Sequence, residues 1–218
     1  YNSKMIAVMG SNINMTRTPD AHFIAEVRHA GAKLVVFSPD FSQVAKYADY
    51  WIPAHGGQDT AFWMAVNHVL LKEFYIDRQV SYFTEYAKLN TDLPFLIEVN
   101  EKRPGRYLRA NQVTDYSAVE NGDWKLLVWD KSSEKARMPQ GTIGYRWPNK
   151  DTGKWNLKMQ DGATGEPLDP ELSFVQAHDA VVDVELDDFA GNGVIERKLP
   201  VRYVETGHGR VAVTTVFD

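Results

Sequence analysis

Three short apolar runs separated by helix-forming stretches constrain this chain more than any other feature of its sequence. Met5-Ile6-Ala7-Val8-Met9, Leu34-Val35-Val36-Phe37 and Tyr50-Trp51-Ile52 are each too short for a helix. The first two lack the apolar–polar alternation of a strand wetted on one side, which suits buried strands, and the third reads as a brief strand. Between the first two, Thr18-Pro19-Asp20 reads as a helix start, with Thr18 as N-cap and Pro19 at the first helical position. Phe23, Ile24, Val27 and Ala30 supply the apolar stripe, and Gly31 sits where a terminating glycine belongs. A shorter helix is expected over residues 43–47. A long apolar helix is expected over 60–74, another over 81–88, and a strand over 95–99. Strand, helix, strand at this spacing is the βαβ unit of a parallel sheet. The fold class read from it is α/β, a doubly wound, Rossmann-like parallel sheet over residues 1–100.

Right-handed crossovers place the loops after the three strands on one edge, where doubly wound sheets bind ligands. These loops begin at Gly10, Ser38 and Ala54 and are rich in small, polar and acidic residues. A nucleotide needs backbone N–H groups for its phosphates and a carboxylate for ribose hydroxyls or purine N–H groups. Gly10 permits close backbone approach, while Ser11, Asn12 and Thr16 offer side-chain partners. Asp40 follows the second strand. Gln58 and Asp59 precede the third helix, with Asp59 placed to accept from a guanine edge. From spacing alone a second reading stands equally open: Gly-Ser-Asn is one turn and not a dinucleotide fingerprint. Asp40 and Asp59 equally read as helix caps.

From residue 101 the texture changes. Glu101-Lys102-Arg103-Pro104-Gly105-Arg106 is a charged break. Strand-like runs over 126–129, 142–147 and 154–157 follow, separated by Gly, Pro, Asn and Asp clusters. Residues 179–188 are acidic and alternating, and 211–217 reads as a further strand. Residues 101–218 are expected to form an irregular β-rich elaboration without assigned chemistry.

Composition narrows the function classes. The 218 residues are 44% hydrophobic and 12% aromatic, which argues against disorder. A formal charge of -5 argues against a nucleic-acid partner. With no cysteine, the chain offers no thiolate for zinc or iron–sulfur ligation. No apolar run approaches the ~20 residues of a membrane span. Tyr1 leads almost directly into the first strand, which suggests a fragment. No Gly-x-Ser-x-Gly or His-Glu-x-x-His motif supports a hydrolase.

Other candidates carry two readings each. His22, Glu26 and His29 share one helical face, either as metal ligands or as a solvated polar face. His55 is a loop histidine or a polar contact in the third loop. His68 reads as a satisfied core histidine, and Phe62, Trp63 and Phe74 as helical core rather than a stacking platform. Arg103, Arg106 and Arg109 read as a solvated loop or a surface for an anionic partner.

Several stretches carry a family resemblance. Met9-Gly10-Ser11-Asn12-Ile13-Asn14-Met15-Thr16-Arg17-Thr18-Pro19-Asp20-Ala21-His22-Phe23 resembles the Gly-Ser-Asn loop and following helix of the catalytic (alpha) subunit of respiratory nitrate reductase-like enzymes. These enzymes lie in the dimethyl sulfoxide reductase superfamily of molybdopterin oxidoreductases. Ser38-Pro39-Asp40 and Gln58-Asp59-Thr60 fall where that family has its second and third cofactor loops. Tyr82-Phe83-Thr84-Glu85-Tyr86, Thr91-Asp92-Leu93-Pro94-Phe95-Leu96, Gly141-Thr142-Ile143-Gly144-Tyr145-Arg146-Trp147, Gly153-Lys154-Trp155-Asn156-Leu157 and Val213-Thr214-Thr215-Val216-Phe217-Asp218 are also similar, so the likeness spans essentially the whole chain.

The resemblance implies a molybdenum bis(molybdopterin guanine dinucleotide) cofactor. Gly10, Ser11, Asn12 and Thr16 would meet the pyrophosphate and pterin side of one dinucleotide. Ser38, Pro39 and Asp40 would hold its ribose and guanine, and Gly57, Gln58 and Asp59 would complete the guanine contact. It implies nitrate reduction to nitrite in anaerobic respiration. The same family also includes nitrite oxidoreductases and selenate, chlorate or perchlorate reductases. A rival of another class is a non-catalytic Rossmann-like nucleotide-binding domain. The molybdenum-binding aspartate and the motif for the parent subunit's iron–sulfur cluster are expected upstream, so this segment ligates no metal and is inactive alone. The implied partners are the rest of the catalytic subunit, an iron–sulfur electron-transfer subunit, a membrane haem b subunit and a small oxyanion. The implied location is the cytoplasmic face of the membrane, with a periplasmic alternative.

Overall fold

A computed structural model describes residues 1–141, 157–188, 191 and 193–218. The strand-like runs expected over 142–147 and 154–157 fall outside the described residues, except for Leu157. The chain divides into two compact units, Tyr1–Asp77 and Arg78–Asp218.

The first unit is built on a three-stranded parallel sheet of β1 (Met5–Met9), β2 (Lys33–Phe37) and β3 (Tyr50–Ile52), in the order β1-β2-β3. Register pairs Ile6 with Leu34 and Val8 with Val36, so these four side chains share one face. Over that face lie a short helical turn α1 (Ile13–Thr16), the helix α2 (Thr18–His29) and a 3-10 turn (Ala45–Tyr47). Val8, Leu34, Val36, Val44 and Ala45 form its core, with Ile13 of α1 and Ile24 of α2 packed against them. Phe37 points to the opposite face. There its ring meets Phe62 and Trp63 of α3 (Asp59–Leu71), with centroids 4.7 and 5.9 Å away.

The first unit is thus a parallel sheet with helices, but on the face of α3 the β1 residues Met5, Ala7 and Met9 stay exposed. The strand order, however, reverses nowhere among the described residues, so the sheet has no topological switch point there. The expected burial of β1 on both faces is also corrected. It is an edge strand, and only Val8 is buried while Met5 and Met9 are exposed.

Local corrections have simple causes. Thr18 is not the N-cap of α2: Arg17 occupies that position, and the Thr18 hydroxyl turns back to the Asn14 carbonyl at 3.4 Å. The intervening turn α1 takes up the chain expected to be loop. Gly31 does end α2, at φ +101°, where an L side chain is strained. The helix expected over 60–74 closes at Leu71 and continues as a wider π turn, Lys72–Ile76. No residue of α3 is buried, and His68 is exposed, so neither His68 nor Trp63 is core.

The second unit opens with α4 (Ser81–Asn90). The strand expected at 95–99 is β4 (Leu96–Asn100), and it does not extend the parallel sheet. It joins β5 (Arg103–Tyr107), β10 (Ala180–Asp188), β11 (Gly193–Thr206) and β12 (Gly209–Thr215) in an antiparallel sheet ordered β10-β11-β12-β4-β5. The charged break opens as a tight hairpin turn, in which Glu101 and Lys102 both adopt positive φ, 46° and 64°, and its remaining residues belong to β5. That turn reaches the far edge of the sheet, where the Glu185 N–H donates to the Lys102 carbonyl at 2.7 Å. The sheet thus curls until its two edge strands touch, which removes part of their open edges.

The region read as irregular therefore holds a regular sheet. It is accompanied by two small antiparallel strand pairs, β6 (Val128–Asp130) with β7 (Lys135–Arg137) and β8 (Pro139–Gln140) with β9 (Lys158–Asp161). Leu96, Leu108, Leu127, Trp129, Met138, Phe174 and Val213 belong to its core.

Candidate functional site

The three loops at the carboxyl ends of β1, β2 and β3 lie around one cleft. The first begins where β1 ends. Gly10 extends the β1–β2 ladder by donating its N–H to the Phe37 carbonyl at 3.1 Å, then turns at φ +56°. The Asn12 carbonyl accepts the N–H groups of Met15 and Thr16 and the Thr16 hydroxyl, all within 3.1 Å. The Thr16 side chain is thereby committed to holding the loop in shape. Ser11 and Asn12 are half-buried. The Asn12 side-chain oxygen is buried and accepts no hydrogen bond among the described residues. An acceptor in that position carries a desolvation cost that a donor on a bound group would relieve.

The second loop is pinned at Ser38, which is buried. Its N–H donates to the Ile52 carbonyl at 3.3 Å and its hydroxyl to the Asp40 carbonyl at 2.6 Å. The Trp51 indole N–H donates to both the Ser38 carbonyl and hydroxyl. Pro39 and Asp40 follow, exposed.

In the third loop Gly57 turns at φ +83°, and the Gln58 N–H closes onto the His55 carbonyl at 3.0 Å. Gln58 then occupies the N-cap of α3 without a side-chain cap bond, and Asp59 is the first helical residue. A Cβ added at Gly10, Gly56 or Gly57 would meet nothing within 4 Å, so all three face open space.

Gly10, Ser38, Pro39 and Asp59 line the cleft, which encloses about 120 Å³ and opens to solvent. Ser11, Asn12, Thr16, Asp40, Gly57 and Gln58 sit on the same loops but do not line it. The cleft also recruits Met9, Phe37, Ala54, His55, Gly56, Phe62 and Trp63. For two of these a signal existed in the sequence: Asp59, Phe62 and Trp63 fall at i, i+3 and i+4, one helical face.

The carboxylates of Asp40 and Asp59 accept no hydrogen bond among the described residues, so neither serves as a side-chain cap. Asp59 stands in the first turn of α3, where the helix dipole favours its charge. Backbone N–H groups in glycine-rich turns, an unengaged carboxylate and an aromatic wall suit a flat heterocycle with N–H donors, joined to phosphate.

A third acidic residue anchors the scaffold. Asp49 accepts the Leu34 N–H at 2.8 Å and the Arg28 guanidinium at 3.3 Å, with Lys33 at 3.5 Å. The Leu34 hydrogen bond, then the Arg28 one, holds its carboxyl down at about 2. Among the described residues no three His, Asp or Glu side chains converge as a metal site. His22 pairs with Glu26 at 2.9 Å on an exposed face. Arg103 is occupied by Asp187 at 3.2 Å, and Arg109 by the Trp124 carbonyl at 3.3 Å.

The second unit holds a buried polar network. Asp161 is fully buried and accepts hydrogen bonds from the Tyr116 hydroxyl, the Arg137 guanidinium at 2.9 Å and the N–H groups of Ala163 and Thr164. Burial pushes its carboxyl up, but those donors together hold it below its ordinary value. Burial and the same hydrogen bond push the Tyr116 phenol up. Every partner is satisfied, which marks a structural brace.

Comparison with known proteins gives a consistent result. The profile of the family described as molybdopterin oxidoreductase matches residues 1–183. The nitrate reductase alpha chain of Bacillus subtilis is 42% identical over 224 residues, covering 100% of this chain and 18% of the relative. The respiratory nitrate reductase 1 alpha chain of Escherichia coli is 40% identical over 235 residues, covering 100% of this chain and 19% of the relative. The perchlorate reductase subunit alpha of Dechloromonas aromatica is 34% identical over 144 residues, covering 66% of this chain and 14% of the relative. The chain spans about a fifth of the length of the two nitrate reductase chains. No helix among the described residues is long and apolar enough to cross a membrane.

Proposed function

From the premise that this chain belongs to the molybdopterin oxidoreductase family, we propose that its first hundred residues hold one molybdopterin guanine dinucleotide of a nitrate reductase-like catalytic subunit. The observation that carries this reading is the cleft shared by the carboxyl ends of three parallel strands, lined by Gly10, Ser38, Pro39 and Asp59. Gly10, Ser11 and Asn12 supply backbone and side-chain partners to the pyrophosphate and pterin side. Thr16 acts through the Asn12 carbonyl it binds. Ser38, Pro39 and Asp40 border the ribose. Gly57 and Gln58 shape the turn that presents Asp59, whose carboxylate accepts from the guanine N1–H and amino group. The partnerless Asn12 oxygen, the open space at Gly10 and Gly57 and the unengaged carboxylates support that fit.

When bound, molybdenum bis(molybdopterin guanine dinucleotide) supplies the two-electron chemistry by which nitrate, two protons and two electrons give nitrite and water. The share of this chain is to grip and orient. The cleft anchors the nucleotide tail, and the Trp51–Ser38 contact keeps the second loop fixed against β3. Residues 101–218 continue the same subunit around their own core. A second reading, reduction of a chlorine oxyanion, is favoured by the relative named a perchlorate reductase. The loops named here hold the nucleotide and do not choose among oxyanions.

The relatives are named alpha chains and alpha subunits, which supports further subunits in the parent enzyme. The assembly we propose adds the rest of the catalytic subunit, which ligates an iron–sulfur cluster, to an iron–sulfur electron-transfer subunit and a membrane haem b subunit. It places the catalytic subunit on the cytoplasmic face of the membrane.

Molybdenum and acid-released guanine nucleotide, measured on the intact parent enzyme, test the proposal. About two guanine nucleotides per molybdenum are expected for a bis-dinucleotide cofactor. Asp59→Ala should lower that content while leaving the fold intact. A well-folded parent enzyme without molybdenum or guanine would overturn the reading.

A further inference from the structure

We propose that Trp63 is a further binding residue of the cleft: the guanine base gripped by Asp59 stacks on its indole. The inference rests on the reading of Asp59 as the guanine contact.

The sequence places Trp63 in an apolar helix, where core packing is the ordinary expectation. The structure puts it elsewhere. Trp63 keeps 40% of its surface exposed and lines the cleft beside Asp59, His55 and Phe62. It is braced from two sides. Its ring lies 5.3 Å from Phe62, edge to face at 85°, and 5.9 Å from Phe37, tilted by 32°. Phe37 and Phe62 meet in turn at 4.7 Å. Three rings in mutual contact fix the indole as a rigid wall, with little side-chain entropy left to lose on binding. The indole N–H has no partner among the described residues.

Helix geometry does the rest. Asp59 and Trp63 stand four residues apart in α3, so their Cβ atoms lie about 5–6 Å apart on one face. A carboxylate that accepts two N–H donors from the edge of a purine holds that purine in the carboxylate plane. An aromatic surface one helical turn away then meets the flat face of the same base. Guanine offers adjacent N–H donors at N1 and its amino group; adenine lacks the N1–H. Asp59 therefore selects the base, while Trp63 contributes stacking that any purine accepts. Met64, the next residue, is 66% exposed and outside the cleft, so exposure along α3 is not by itself the signal.

The experiment uses the intact holoenzyme with Trp63→Ala, Trp63→Leu and Trp63→Phe. Acid-released guanine nucleotide per polypeptide is followed over time after dilution, with hydrogen exchange of α3 as a check on folding. Loss of guanine nucleotide should be roughly tenfold faster in the Ala and Leu variants, matching the usual worth of one stacked base. The Phe variant should retain it nearly as wild type does. Equal retention by Leu and Phe would reduce the role to apolar packing and overturn the proposal. So would wild-type retention in the Ala variant. If Trp63→Ala fails to fold, the Leu and Phe variants decide the matter alone. A parent enzyme without guanine nucleotide, or one unaffected by Asp59→Ala, would instead sink the Asp59 assignment and the stacking proposal with it.

Discussion

The indole N–H of Trp51 donates to both the carbonyl and the hydroxyl oxygen of Ser38, at 3.1 and 3.2 Å. One side chain on β3 thus fixes the backbone and the side chain of the loop that follows β2. The Ser38 hydroxyl passes the constraint on to the Asp40 carbonyl. The second loop owes its shape to this relay.

Trp51→Phe keeps the ring and its edge contact with Phe41 but removes the donor. The loss should cost about 1 kcal/mol locally, more if the buried Ser38 oxygens find no substitute. Amide hydrogen exchange over residues 38–42 should speed up several-fold, and guanine nucleotide content should fall. Unchanged exchange in that window would refute the relay.

Asp49 makes the first unit sensitive to acid. Its carboxyl is held at about 2, below its ordinary value near 3.8, first by the Leu34 N–H and next by Arg28. A depressed carboxyl contributes stability that is present above the unfolded-state value and lost as pH falls through the folded-state value. The window is therefore about pH 4 down to pH 2. Urea midpoints of wild type and Asp49→Asn should differ at pH 5 and converge toward pH 2. A constant gap would exclude Asp49 as the cause.

The β4–β5 hairpin turns on Glu101 and Lys102, both in the left-handed region at φ 46° and 64°. Turns of this hand favour Asn-Gly. Glu101→Asn combined with Lys102→Gly should stabilise the second unit by about 1 kcal/mol, despite losing the exposed ion pair of Lys102 with Glu185. The chemical-denaturation midpoint should rise; a fall would mean that the Lys102 side chain matters more than the turn.

Asp161 gathers Tyr116 and Arg137 in the interior of the second unit. Asp161→Ala would leave the guanidinium and phenol without their acceptor and should cost about 3–5 kcal/mol. Asp161→Asn retains an acceptor and should cost clearly less. Denaturant unfolding monitored by tryptophan fluorescence would separate the two; equal losses would mean that the charge, and not the retained acceptor, holds Tyr116 and Arg137.

What the sequence determined by itself was local. The strand at residues 5–9, the strand at 50–52 and the glycine that ends α2 follow from runs, caps and backbone freedom within a few residues. The three loops that border the cleft were legible for the same reason, since each lies immediately after a strand. Tertiary structure alone decided which elements pair and which side chains meet. β4 looks like the next member of the parallel series, yet it pairs with β12 and β5, because its partners lie far along the chain or across a turn without the usual glycine. Trp63 and His68 look like core, but no residue of α3 is buried: Trp63 meets Phe37 and lines the cleft, and His68 is in solvent. Periodicity specifies which face of an element is apolar; only the packing of distant segments specifies whether that face is covered.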